Sequence, residues 1–186
     1  GTLLDDPAKV GVANLVSDIM MEGTANKTPL ELEQAIDDLG AFINMGTSRQ
    51  AVQLSANGLK SRGPQMVGLV QEILLQPRWD EKELARIKDE TVEVLNRQSV
   101  NPPAVGNNVF NRLVYGDGNI LGVNTLGSPE TVSAITMDDL KGHYERSFSP
   151  SVATLAMVGD ITQAEAVELF RPREAAWRAS WRGVWS

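Results

Sequence analysis

The chain of 186 residues contains no cysteine and a single histidine, His143. The first absence excludes disulfide staples, thiolate zinc sites, iron–sulfur clusters and cysteine nucleophiles, and leaves the redox compartment open. The second excludes a common His-based zinc site built by this chain alone, because catalytic zinc usually takes two or three imidazoles. Aromatic residues are scarce at 5%, and long apolar runs are missing: even Met66 to Leu75 is interrupted by Gln71 and Glu72, so no window reaches the roughly 18 residues that a membrane span needs. Positive charge is also in deficit. Seventeen Lys and Arg against 24 Asp and Glu give a net charge of -7, which repels a phosphate backbone and argues against nucleic acid as a partner. What remains is 42% hydrophobic and 22% charged, the composition of a folded domain with its own core. The length suits one ordinary domain or two small ones. Because it opens on Gly1-Thr2 with neither an initiator Met nor a signal segment, we expect an excised piece of a longer chain, and its compartment stays open between bacterial periplasm and cytoplasm.

Periodicity organises most of the chain. Residues 6 to 22 are expected to form a helix, with Val12, Leu15, Val16, Ile19 and Met20 on one face and Gly23 as its stop. Thr28-Pro29-Leu30-Glu31 reads as a capping box opening a second helix that ends near Gly40. From Ala41 to Leu59 the period falls to two around a polar turn at Thr47 to Gln50, which predicts a hairpin. Gly63-Pro64 starts a helix that Pro77 closes. Asp80 with Glu83 caps a long one whose stripe is Leu84, Ile87, Thr91, Val94, Leu95 and Gln98. A helix over 104 to 114, a Gly-rich connection from Tyr115 to Gly127 and two short helices from Ser128 and Thr136 follow. Val152 to Val158 is a continuous apolar run expected to be a central strand, and Thr162 with Glu165 caps a helix to about Phe170. The irregular interleaving predicts an α+β, two-layer fold, with helices packed on one face of a mostly antiparallel sheet. Three strands are few for so many helices, so N-terminal strands are expected to be missing.

Read residue by residue, the candidate chemistry is sparse. His143 sits on a short amphipathic helix with no partner motif. Asp5 and Asp6 read as helix caps, and Asp37, Asp38, Asp89, Glu90 and Glu93 as solvated helix faces. No phosphate-loop spacing occurs, and Ser17 lacks the G-x-S-x-G context of a nucleophile elbow.

The order of segments is more informative. Gly11 to Thr24 resembles the zinc-site helix of the insulinase-like, or M16, metallopeptidases. Similarity continues through Leu39-Gly40-Ala41 before a strand carrying Asn44, Leu74 to Pro77, the long helix ending before Pro102, Tyr115-Gly116, Leu126 to Glu130, Asp139-Leu140, and Ser149-Pro150 leading to Val158-Gly159-Asp160. The resemblance covers residues 1 to 170 as one truncated domain of M16/LuxS-type metallohydrolase-like fold. Residues 171 to 186, rich in Arg and Trp, are expected to be an atypical tail outside it.

Where the family keeps H-x-x-E-H, this chain has Asn14-Leu15-Val16-Ser17-Asp18. In active members the two histidines hold zinc and the glutamate is the general base. In the family the third ligand is a glutamate about 75 residues on, and counting from Asp18 lands between Glu93 and Leu95, so the resemblance offers Glu93 as a candidate counterpart. Two carboxylates do not make a zinc site, so no metal and no cofactor are expected here, although active relatives carry zinc. The resemblance thus implies an inactive-type domain that pairs with an active M16 subunit, or with the second half of a longer chain, around a peptide chamber. It also implies that Ala41, Phe42, Ile43, Asn44, Met45 and Gly46 form an edge strand able to take up an extended peptide. The alternatives are an active zinc metalloendopeptidase and a purely structural scaffold like the core subunits of respiratory complexes. Open strand edges and apolar surface further predict that the isolated chain self-associates.

Overall fold

A computed structural model describes residues 1–116 and 118–180. Eight α-helices and one two-stranded antiparallel sheet occur among them: α1 Val12–Met20, α2 Pro29–Asp38, β1 Phe42–Thr47, β2 Val52–Asn57, α3 Gly63–Leu75, α4 Glu81–Ser99, α5 Pro102–Tyr115, α6 Pro129–Ala134, α7 Met137–Ser147 and α8 Gln163–Ser180. The class is α+β, as expected. The helix starts follow from local chemistry. Thr28 and Glu31 form a reciprocal capping box on α2, Asp80 accepts from Lys82 N at 2.9 Å, and Ser128 with Thr131 closes a second box on α6.

The chain divides into two compact units. The first comprises residues 1–19, 46–53 and 79–143. Its core is the apolar face of α1 (Ala13, Leu15 and Val16, all fully buried) together with Leu84, Ile87 and Leu95 of α4, Val132 of α6 and Leu140 of α7. Helix α4 packs on α6 and α5. Lys88 Nζ donates to the carbonyls of Ser133 and Ile135 at 2.8 and 2.7 Å, and so satisfies acceptors at the end of α6. The second unit comprises residues 20–45, 54–78 and 144–186. There Met20, Leu32, Ile43, Val67, Leu69 and Ile73 are buried, α3 packs on α8, and the Tyr144 hydroxyl donates to the Leu74 carbonyl at 2.6 Å. Lys27 Nζ reaches the Glu72 carboxylate at 2.7 Å, and Thr24 Oγ1 donates to the same group at 2.5 Å.

Two expectations need correction. The helix drawn over 6 to 22 is broken: Pro7–Lys9 is a 3-10 turn, and α1 begins only after Gly11, whose φ of 111° no L side chain adopts comfortably. The broken start has its own caps. Asp6 accepts from Ala8 N at 2.8 Å, while buried Asp5 accepts from Gly11 N at 2.9 Å and from Ala13 N at 3.1 Å. The connection from Tyr115 to Gly127 contains a 3-10 turn, Ile120–Gly122. Most importantly, Val152 to Val158 is not a strand, and Val152, Leu155 and Val158 are exposed. Strand propensity fixes no conformation without a ladder partner, and none of the described residues supplies one. Helix α8 runs on through position 170, and the last six positions of the Arg/Trp-rich tail lie outside the described residues.

Candidate functional site

Helix α1 presents the H-x-x-E-H-equivalent positions, all within the first unit. Asn14 is half-buried and Ser17 almost fully so, at 1% exposure, whereas Asp18 is exposed. This split follows from the helical period: Ser17 shares its face with Ala13, Val16 and Met20, while Asp18 turns toward solvent.

Both inward-facing polar groups are bound to the protein itself. Asn14 Nδ2 donates to the Thr125 carbonyl at 2.6 Å, fastening α1 to the connection before α6. The Ser17 hydroxyl lies 3.2 Å from the Ala13 carbonyl, one turn back, and is hydrogen-bonded to the Thr47 hydroxyl at the end of β1. Thr47 Oγ1 also donates to Ala13 O at 3.1 Å. Three acceptor and donor groups thus close on each other around Ala13. A serine whose hydroxyl contacts a carbonyl and another hydroxyl has no base to take its proton.

The expected third ligand is turned away. Glu93 lies on the solvent face of α4 with its carboxylate 3.6 Å from Arg97, and its side chain is 72% exposed. The inward stripe of α4 is Leu84, Ile87 and Leu95 with half-buried Thr91, Val94 and Gln98. Gln98 Oε1 is taken by Asn124 Nδ2 at 2.8 Å. The structure therefore brings Asn14 and Ser17 to the interior and leaves Asp18 and Glu93 at the surface. Among the described residues no group of three His, Cys, Asp or Glu side chains could hold a metal ion. Zinc does not fit this donor set: the inward groups are an amide and a hydroxyl already hydrogen-bonded, and the two carboxylates are exposed.

His143 belongs elsewhere. It is 1% exposed, with Nδ1 3.8 Å from Asp5 Oδ1, a carboxylate that is itself fully buried. Burial pushes the Asp5 carboxyl above the ordinary value, against the amides of Gly11 and Ala13 and the Gly1 ammonium, which pull it down. Asp5, by accepting from the amides of Gly11 and Ala13, holds the start of α1.

The edge-strand positions fall on β1 and the residue before it. Ile43 is buried, Phe42 is 63% exposed, and Asn44, Ala41, Met45 and Gly46 are half-buried or exposed. Among the described residues β2 is the only ladder partner of β1. Sequence reasoning missed Thr47 and Thr125, the two residues that tie down Ser17 and Asn14. Neither belongs to a local pattern that could have marked it.

Comparisons with known proteins follow the same lines. The family model described as insulinase (peptidase family M16) matches residues 1–117. An uncharacterized zinc protease of Mycobacterium leprae is 26% identical over 90% of this chain, which covers 38% of that relative. A non-peptidase homolog of Helicobacter pylori is 20% identical over 87% of this chain and 37% of its own length. The fold is that of a peptidase M16 inactive domain from Pseudomonas fluorescens, with a TM-score of 0.88 and 24% identity, covering 96% of this chain and 43% of that one. The chain thus spans less than half the length of these relatives.

Proposed function

Since this chain belongs to the insulinase family, peptidase family M16, we propose that it is a non-catalytic member that pairs with an active M16 subunit or half and shapes a peptide-binding chamber. One observation carries the reading: the side chains at the motif positions are spent on internal hydrogen bonds or turned to solvent, as with Asn14 on Thr125 O and Glu93 beside Arg97. Without a metal to polarise a peptide carbonyl and supply hydroxide, hydrolysis has neither nucleophile nor charge stabiliser. Substrate holding has different requirements. An extended peptide can add to the edge of β1 through main-chain hydrogen bonds, with Asn44 and Met45 within the strand it would pair against. The name of the Helicobacter relative and the inactive-domain neighbour support a non-catalytic role. The short span relative to family members supports a partner domain.

The test has three readouts on the 186-residue chain. Metal analysis after zinc supplementation should find far less than one zinc per chain, with no chelator-sensitive cleavage of unstructured peptides. Fluorescence anisotropy should give saturable binding of an extended peptide that weakens when alternate backbone nitrogens are methylated. Native mass spectrometry with an active M16 subunit should give a mixed complex. Stoichiometric zinc with turnover overturns the non-catalytic reading. Absence of any saturable peptide affinity overturns the holding role and favours a scaffold.

A further inference from the structure

Among the asparagines of the chain, Asn57 alone is followed by glycine. Both residues are exposed, Asn57 as the last residue of β2 and Gly58 one position beyond it. The hairpin register sets where the Gly58 amide points. Beside the turn, Ser48 N donates to Ala51 O at 2.8 Å. Counting outward from this bonded pair brings Phe42 opposite Asn57 and Ala41 opposite Gly58. The Ala41 Cβ does lie close, 3.4 Å from where a Cβ on Gly58 would stand. Bonded and non-bonded pairs alternate along an antiparallel ladder, so Ala41 and Gly58 form a non-bonded pair and the Gly58 N–H points away from β1. Among the described residues β1 is the only ladder partner of β2.

The other asparagines are restrained. Asn14, Asn96, Asn107, Asn108 and Asn111 lie in helices, where the next amide belongs to the helical ladder, as Leu15 N does on Gly11 O at 3.0 Å. Asn101 precedes Pro102, which has no N–H. Asn26 Nδ2 donates to Gln76 Oε1 and Asn124 Nδ2 to Gln98 Oε1, each at 2.8 Å, and Asn119 Oδ1 accepts from Leu121 N at 2.9 Å. Asn44 is followed by half-buried Met45 within β1.

We propose that Asn57-Gly58 is a site of spontaneous covalent modification, at which the outward Gly58 nitrogen displaces the side-chain amide of exposed Asn57. Hydroxide takes the proton of Gly58 N, and the nitrogen attacks Asn57 Cγ. The new N–Cγ bond closes a five-membered succinimide, the Cγ–Nδ2 bond breaks, and ammonia leaves with a proton from water. Glycine suits the attack because no Cβ hinders the approach of its nitrogen and its backbone reaches conformations closed to other residues. A second water opens the ring. Addition at Cγ leaves aspartate, and addition at the main-chain carbonyl carbon leaves isoaspartate. The sum consumes one water, releases one ammonia and transfers no electrons. Both products add a carboxylate to a chain whose net charge is already -7. Isoaspartate also routes the chain through Cβ and Cγ, and the extra backbone atom disrupts the Phe42–Asn57 pair that ends the ladder.

The inference does not rest on the peptide-holding role, since the reaction needs only this dipeptide. The folded 186-residue chain, incubated in neutral buffer made with heavy-oxygen water, is digested with trypsin and mapped by mass spectrometry. The fragment from Gln50 to Lys60 holds no other asparagine. It should take up one heavy oxygen and split into two chromatographic species, aspartate and isoaspartate, faster than any other asparagine-containing fragment and at a rate that rises with pH. The rate in the folded chain should lie within about tenfold of that in urea. Gly58→Ala should slow the reaction about tenfold or more; its Cβ would meet only the movable Met66 Sδ at 2.9 Å and the Ala41 methyl at 3.4 Å, in addition to the Ala41 Cα at 3.7 Å. Asn57→Gln, which changes no backbone contact, should abolish the doublet. A folded chain whose Gln50 to Lys60 fragment stays unlabelled while the urea-unfolded chain reacts overturns the proposal, because β2 would then hold the dipeptide out of attacking geometry. So does a Gly58→Ala chain that reacts as fast as the parent.

Discussion

Replacing Ser17 by glutamate, the residue that active relatives carry there, tests most directly whether the motif position has been closed to chemistry. Ser17 is 1% exposed and its hydroxyl is held by Ala13 O and Thr47. Two substitutions should be compared. Ser17→Ala removes one hydroxyl but strands no partner, because Thr47 Oγ1 still donates to Ala13 O at 3.1 Å; its cost is about 1 kcal/mol. Ser17→Glu adds two methylenes to a filled interior, about 1–3 kcal/mol of overpacking, and buries a carboxylate with no cation beside it, a further ~2–3 kcal/mol or a shift to its neutral form. At roughly 2–4 °C per kcal/mol for a chain of this size, the alanine variant should melt about 2–4 °C lower than the parent. The glutamate variant should melt about 10–20 °C lower. Differential scanning calorimetry with and without zinc is the assay. A glutamate variant that melts within about 2 °C of the alanine one, or that gains several degrees on adding zinc to an Asn14→His, Ser17→Glu, Asp18→His chain, would show that the pocket remains open and the reasoning fails.

Gly127→Ala forces a φ of 84° on an L residue and sets a Cβ against the Val10 carbonyl, with Thr131 Oγ1 at 2.6 Å; urea unfolding should show a loss of about 3 kcal/mol or more, and a loss under 1 kcal/mol would contradict that packing. For Asp5, whose carboxyl burial raises above its unfolded value, the linked stability is fully present below that value, near 3.8, and is lost as pH rises through the folded one. Asp5→Asn cannot ionise, so its stability relative to the parent should rise between pH 4 and pH 7; denaturation midpoints moving the other way would sink this account. Tyr144, pushed up to about 12 by burial, should ionise late in an alkaline absorbance titration, with stability falling from about pH 10 toward 12. A Tyr144 ionisation midpoint near 10, identified by comparison with Tyr144→Phe, would show that its ring is not enclosed.

That this chain by itself lacks the usual zinc ligands was legible early because it is a matter of inventory: it has one histidine and no cysteine, wherever the chain goes. The helix starts were legible for a similar reason. Thr28 with Glu31, Asp80 and Ser128 act on amides two or three residues away, so their effect is written within one turn, whereas Asn101, read as the end of the long helix, caps α5. The orientation of Glu93 could also have been read, since the stripe through Leu84, Ile87, Leu95 and Gln98 leaves position 93 on the far side of the helix; counting from the motif alone concealed it.

Other features were decided by contacts between residues distant in the chain. The bonds from Asn14 to Thr125 and from Ser17 to Thr47 join positions 111 and 30 residues apart, and no local pattern announces them. Val152 to Val158 has the composition of a strand, but a strand exists only when another backbone satisfies its ladder, a condition no sequence window contains. The sequence identified a helix over 104 to 114 but not which side of it is covered; the tertiary structure decided that, because α4 and the turn at Ile120–Gly122 pack against one side and leave Val105, Val109, Phe110, Leu113 and Val114 exposed. Covalent inventory and one-turn interactions travel with the sequence, whereas burial and pairing depend on what the rest of the chain brings alongside.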